Sequence, residues 1–132
     1  MPFINIRCAG TALTGAQTAR LQEEARRILV ESMRKRADWI VVLVEETSWR
    51  GWSIVGQQGG IAAHVRTTIN AGGSTAEEKA RYVGATYAML CEVLGGGLGE
   101  MAYVEILELE GGAWGFGGLT NADRAAMQRV SH

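Results

Sequence analysis

Near the end of the chain, 112-GAWGFGGLTNADR-124 restates a segment from its middle, 51-GWSIVGQQGG-60: each joins a tryptophan to glycines just after an apolar, strand-like run. Five identities share one spacing. Gly72, Val104, Glu108, Trp114 and Gly118 each lie 62 positions after Gly10, Val42, Glu46, Trp52 and Gly56, so one unit is present twice, over about 1–60 and 61–132. A chain of 132 residues, 47% of them hydrophobic, has material for one core rather than two. The copies are therefore expected to share a single domain.

Each unit carries the same order of elements. PFINIRC is β-like, TGAQTARLQEEARRILVESMRKR is helical, and WIVVLVEE is a continuous apolar strand leading into the SWRGWSIVG turn; the second half repeats strand, helix, strand and turn. Thr14 with Gln17, and Ser74 with Glu77, have the spacing at which a hydroxyl and a Glu or Gln side chain satisfy the free amides of a helix start. The apolar stripes read as Leu21, Ala25, Ile28, Leu29 and Met33, then Ala80, Val83, Tyr87, Leu90, Cys91 and Leu94. A strand–helix–strand crossover of this length requires parallel strands. The prediction is an α+β fold: a four-stranded mixed sheet of two βαβ units, with two long helices on one face. Ile4, Ile6 and Cys8 alternate with Phe3, Asn5 and Arg7, and Val65, Thr67 and Ile69 alternate with His64, Arg66, Thr68 and Asn70, so one face is apolar and the other mixed. WIVVLVEE and AYVEILELE carry more apolar residues than a solvated face needs, which predicts that other copies of the chain cover the bare face. TNADRAAMQRV, opened by Thr120 and Asp123, predicts a short terminal helix.

Composition removes several classes of partner. With 13 basic and 14 acidic side chains interspersed and a formal charge of −1, no electrostatic footprint exists for nucleic acid or an anionic membrane. MPFINIRCAG lacks the apolar run of a signal peptide, and no stretch approaches a span of about 20 apolar residues. Cys8 and Cys91 have neither metal-site nor redox-motif spacing and read as free thiols suited to a reducing cytoplasm. The runs GGGLG and GGAWGFGG are turn chemistry, because neither stands between a strand and a helix start as a phosphate loop does.

The copies differ where chemistry could sit. At a spacing of 62 the counterpart of Pro2 is His64, inside a strand, so only the first copy can expose a terminal proline. Removal of Met1 would leave a secondary amine; burial against aromatic walls disfavours the ammonium form and makes the neutral amine available as a base near pH 7. Met-Pro before a strand, a βαβ unit of about 60 residues, and an aromatic before a glycine pair resemble the tautomerase superfamily typified by 4-oxalocrotonate tautomerase. The doubling resembles its fused members. The resemblance covers nearly the whole chain and is most specific at MPFINI, INAGGSTAEEKARYV and AWGFGG. It implies that Pro2 is the general base of an enol–keto isomerisation of a 2-hydroxyalkenoate-type acid, that no metal or cofactor is needed, and that the assembly is a homotrimer. It also implies that Trp114, rather than Trp52, walls the proline pocket, Trp52 belonging to a second pocket without a proline.

Departures from the family pattern are equally plain. The family's carboxylate-binding arginine after the first strand of a unit is missing from AGTALTG and AGGSTAEE, and the position of the second arginine of the dehalogenase-like branch, near the end of the third strand, is held by Asn70. Arg7 and Arg66 on the mixed face and Arg50 beside Trp52 are the candidate replacements. The absent arginines count against a hydratase or dehalogenase, which would also need a carboxylate near Pro2; a non-catalytic small-molecule-binding protein is the reading outside enzymes. His64 as a base, and Glu45, Glu46, Glu105 or Glu108 as an activator of water, are weaker candidates than ordinary paired strand residues.

Overall fold

A computed structural model describes residues 2–130 of the chain. β1 (Phe3–Ala9), α1 (Gly15–Met33) and β2 (Val41–Glu46) form the first unit, and β3 (Ala62–Asn70), α2 (Ala76–Leu94) and β4 (Tyr103–Leu109) the second; a two-residue hairpin of β5 (Gly115–Phe116) and β6 (Leu119–Thr120) and a helix α3 (Asn121–Val130) complete the chain. The sheet order is β2-β1-β3-β4. β1 and β2 run parallel, as do β3 and β4, while β1 and β3 meet antiparallel at the centre, where Asn5 faces Arg66. The sheet is therefore mixed and the fold α+β, as the repeat predicts.

Alternation decides the core. Ile4, Ile6, Cys8 and Val65 are fully buried, and Ile69 nearly so, against Leu21, Ala25, Leu29, Met33, Tyr82 and Leu90 of the two helices. Fully burying one such side chain stabilises by roughly 1.5–3 kcal/mol. The other face of the sheet leaves Val41, Leu43, Tyr103 and Leu107 exposed, an apolar surface in line with the expected cover by further copies.

The structure corrects four details of the sequence reading. The strand read as WIVVLVEE begins only at Val41, because Ala37–Trp39 close a 3₁₀ turn in which the Ile40 amide donates to the Ala37 carbonyl at 3.3 Å. The second capping box is Thr75 with Glu78, not Ser74 with Glu77; the Ser74 hydroxyl is buried and finds no partner among the described residues. The buried face of α2 is Tyr82, Thr86, Met89, Leu90, Val93 and Leu94, with Ala80 and Val83 exposed: the face is rotated by one residue because the Tyr82 hydroxyl meets the Thr67 hydroxyl inside the core, a polar pairing that hydrophobicity does not reveal. Finally, the inward residues Ile4, Ile6 and Cys8 correspond to Val65, Thr67 and Ile69, and the capping boxes at Thr14 and Thr75 keep the same interval. The first strand and helix thus repeat after 61 residues, and only the second strand and turn after 62. A slip of one would exchange the two faces of a strand, so the counterpart of Pro2 is Ala63, not His64.

Two loops test this account. Gly10 and Gly72 both have φ near +90° (+89° and +87°), but a Cβ on Gly10 would sit 1.9 Å from the Gly60 carbonyl oxygen, whereas one on Gly72 meets nothing within 4 Å. Gly72→Ala should cost about 1–2 kcal/mol for the left-handed backbone alone, and Gly10→Ala a further 1–3 kcal/mol for the clash; urea titration at fixed protein concentration checks the difference. In α2 the Thr75 amide, followed by the Arg34 guanidinium, holds the Glu78 carboxyl down at about 2. A depressed folded pKa stabilises above the ordinary carboxylate range and is lost as pH falls toward 2. Glu78→Gln, which copies Gln17 of the first box, should keep the cap and flatten the acid limb of stability, as read by melting between pH 5 and 2.

Candidate active site

Pro2 is buried at the entrance to β1, its carbonyl accepting from the Val41 amide at 3.2 Å. It lines a cavity of about 430 Å³ together with Phe3, Asp38, Trp39, Thr68, Trp114, Phe116 and Asn121. Three parts of the fold meet there: the start of the central seam, the 3₁₀ turn before β2, and the C-terminal hairpin. The hairpin is fastened by Asn70. Its Oδ1 accepts from Trp114 Nε1 at 2.7 Å and from Asn121 Nδ2 at 3.3 Å, while the Asn121 amide donates to the Trp114 carbonyl at 3.0 Å. Asn70 thus acts on the cavity through Trp114 rather than lining it.

The candidate arginines stand elsewhere. Arg7 Nε donates to Asn5 Oδ1 at 3.0 Å, and Arg66 Nε to Glu105 Oε1 at 2.7 Å, both on the outer face of the sheet. Arg50 is exposed in the 3₁₀ turn Trp49–Gly51. None of the three is among the residues lining the Pro2 cavity. Trp52 belongs to a separate cavity of about 210 Å³, shared with Ala63, His64, Met101, Tyr103 and Glu105, and its Nε1 donates to Thr47 Oγ1 at 2.8 Å.

The sequence reading missed Asp38, Trp39, Phe116 and Asn121. Asn121 is 4% exposed, and its Oδ1 has no partner among the described residues; a buried acceptor left so is costly and calls for a donor. Asp38 is ion-paired with Arg36 at 2.9 Å, and the Arg36 guanidinium lies 3.9 Å over the Trp39 ring. Arg36 is therefore tied to two residues of the cavity. For Asp38 and Trp39 the available signal was the run 36-RADW-39, which is not wholly strand-like; Phe116 lies within AWGFGG and Asn121 at the start of the expected terminal helix. No group of His, Cys, Asp and Glu among the described residues is placed to hold a metal ion, and Cys8 is a buried free thiol raised by that burial and then by Glu46. No helix among the described residues is long and apolar enough to cross a membrane.

Two βαβ units closed by an antiparallel seam, with a proline at the mouth of the first strand, define the tautomerase fold in its fused, two-unit form. Solved structures bear out the fold. A native fused 4-OT superposes with a TM-score of 0.80 at 18% identity over 93% of this chain and 98% of that one. A fused 4-OT solved as a symmetric trimer gives 0.79 at 20% identity over 91% and 96%, and the macrophage migration inhibitory factor of Toxoplasma gondii 0.70 at 21% over 89% and 98%. Neither a family model nor a curated protein matches the sequence.

Asn70→Ala should leave Trp114 Nε1 without an acceptor and cost about 1–3 kcal/mol. In a double-mutant cycle by chemical denaturation it should couple to Trp114→Phe by at least 0.5 kcal/mol, and add independently to Trp52→Phe.

Proposed function

We propose that this protein is a cofactor-independent tautomerase in which the Pro2 amine, freed by removal of Met1, is the general base for enol–keto isomerisation of a 2-hydroxyalkenoate-type acid. Met1 lies outside the described residues. The observation that carries the reading is the burial of Pro2 in a cavity walled by Trp39, Trp114 and Phe116. Such walls disfavour the ammonium and keep the amine ready to accept a proton. The amine takes the enol hydroxyl proton as the carbonyl forms, the π electrons move to the far carbon, and the same nitrogen returns the proton there. Asn121 Oδ1 supplies an acceptor for the amine N–H or the hydroxyl, and Thr68 lines the same cavity. Arg36 does not itself line the cavity but is held against two residues that do, Trp39 and Asp38, and is the positive charge assigned to the substrate carboxylate. A homotrimer completes the proposal, supported by the exposed apolar sheet face and by the trimeric fused 4-OT; a cytoplasmic location is proposed with it from the free thiols Cys8 and Cys91.

A second reading has one specific observation behind it. Hydration or dehalogenation of an unsaturated acid needs a carboxylate beside the proline to orient water, and Asp38 lines the Pro2 cavity. There the proline acts as an acid, not a base.

The two are separable by sign. As a base, Pro2 must be neutral, so kcat/KM for 2-hydroxymuconate or phenylenolpyruvate should rise with pH through the amine pKa and level off above it; as an acid it must be protonated, and kcat/KM should fall through the same pKa. Pro2→Ala should lower kcat/KM about 10²-fold or more, and isomerisation by the variant as fast as the parent defeats the leading reading. One solved neighbour, with a TM-score of 0.73 at 19% identity over 92% of this chain and 98% of that one, was inactivated by 2-oxo-3-pentynoate. The same compound should add once to the processed protein, at Pro2, and not to protein that retains Met1.

A further inference from the structure

The corrected spacing makes the Trp52 cavity a counterpart of the Pro2 cavity, residue by residue. Ala63 stands for Pro2 and His64 for Phe3 at the interval of 61; Met101 stands for Trp39, Tyr103 for Val41, and Trp52 for Trp114 at the interval of 62. The second copy has lost the amine and gained a polar pair. His64 Nε2 lies 2.7 Å from Glu105 Oε1, and Glu105 takes the place held in the first copy by the apolar Leu43. Glu105 also accepts from Arg66 Nε at 2.7 Å. Side-chain exposures of 22% for His64 and 39% for Glu105 place the pair at the cavity wall rather than deep in the core.

We propose that this second cavity is a separate ligand site for a small, planar, neutral molecule bearing an acidic hydroxyl, a phenol or an enol, with His64 as its hydrogen-bond acceptor. In a neutral imidazole, a carboxylate acceptor at Nε2 requires the proton to be there. Nδ1 is then left as a lone-pair acceptor, and it has no partner among the described residues. The charges around it balance: Arg66 against Glu105, and Arg7, opposite His64 in the β1–β3 register, against Glu45, bridged through Asn5. With no surplus positive charge, the site favours a neutral hydroxyl over a carboxylate. Trp52, Tyr103 and Met101 supply flat and soft apolar walls for a ring or conjugated chain. About 210 Å³ accommodates one small ring.

The test needs no turnover, so it stands or fails apart from the role of Pro2. The intact protein is titrated with 4-methylphenol, toluene and 4-methylbenzoate while the indole N–H signals of its four tryptophans are followed by ¹H–¹⁵N NMR. Saturable binding of 4-methylphenol is expected, moving Trp52 more than Trp114 and at least tenfold tighter than toluene or 4-methylbenzoate. His64→Phe, which installs the residue of the first copy, should erase the preference over toluene; Pro2→Ala should leave it intact. Equal affinity for 4-methylphenol and toluene, an undiminished preference in His64→Phe, perturbation centred on Trp114, or no binding each overturns the proposal.

Discussion

The antiparallel seam between β1 and β3 is the constraint from which the rest follows. Each βαβ unit alone would have two parallel strands and one helix, too little to bury its own apolar face. Pairing β1 with β3 makes a four-stranded sheet, places both helices on one side, and joins the fully buried Ile4, Ile6, Cys8 and Val65 into one core. Because the seam is antiparallel, the start of β1 lies beside the end of β3, where Phe3 faces Thr68. Asn70, two residues further, reaches the hairpin and holds Trp114 over the entrance. The same geometry run the other way sets Ala63 beside Cys8, with Thr47 anchored on the Cys8 carbonyl and Trp52 on Thr47. One seam therefore builds two cavities.

Those cavities diverged because the core does not constrain their linings. Inward positions must stay buried with every polar group satisfied, and Ile4, Ile6 and Cys8 have Val65, Thr67 and Ile69 as counterparts. The single polar change, Thr67, is met by Tyr82 from the helix above. Outward positions carry no such requirement, so Phe3 can become His64 and Leu43 can become Glu105 without disturbing the layer beneath. The two indoles show the same freedom, since each finds an acceptor from a different element, Asn70 for Trp114 and Thr47 for Trp52.

Much of this was legible in the sequence, for reasons that also explain what was not. Identities at a shared interval exposed the duplication, and alternation along PFINIRC assigned the faces of β1 correctly. The interval itself misled by one, because Gly10 and Gly72 agree with the second strands and turns at 62 while the first strands and the helix caps repeat at 61; the loop after β3 gains a residue before Gly72 and gives it back before Thr75. The face of α2 was misread because Tyr82 and Thr86 score as amphipathic or polar. Trp39, which closes the 3₁₀ turn with Asp38, looked like the first residue of an apolar strand. Asn121 begins a helix that the sequence did indicate, but its placement in the cavity depends on a hairpin fold-back that no local pattern encodes.

On the proposed reading, the balance at Pro2 turns on a pair of opposed effects. The apolar walls favour the neutral amine, whereas a bare carboxylate at Asp38, which lines the same cavity, would favour the ammonium. Arg36 cancels much of that influence: it pairs with Asp38 at 2.9 Å while remaining stacked on Trp39. A substrate carboxylate drawn to the same guanidinium would compete for it and release Asp38 toward the amine. Base chemistry then requires that Arg36 serve both carboxylates at once, which its planar fork of five donors permits. On the proposed reading, the ion pair beside the cavity and the proline together decide whether the amine removes a proton or gives one.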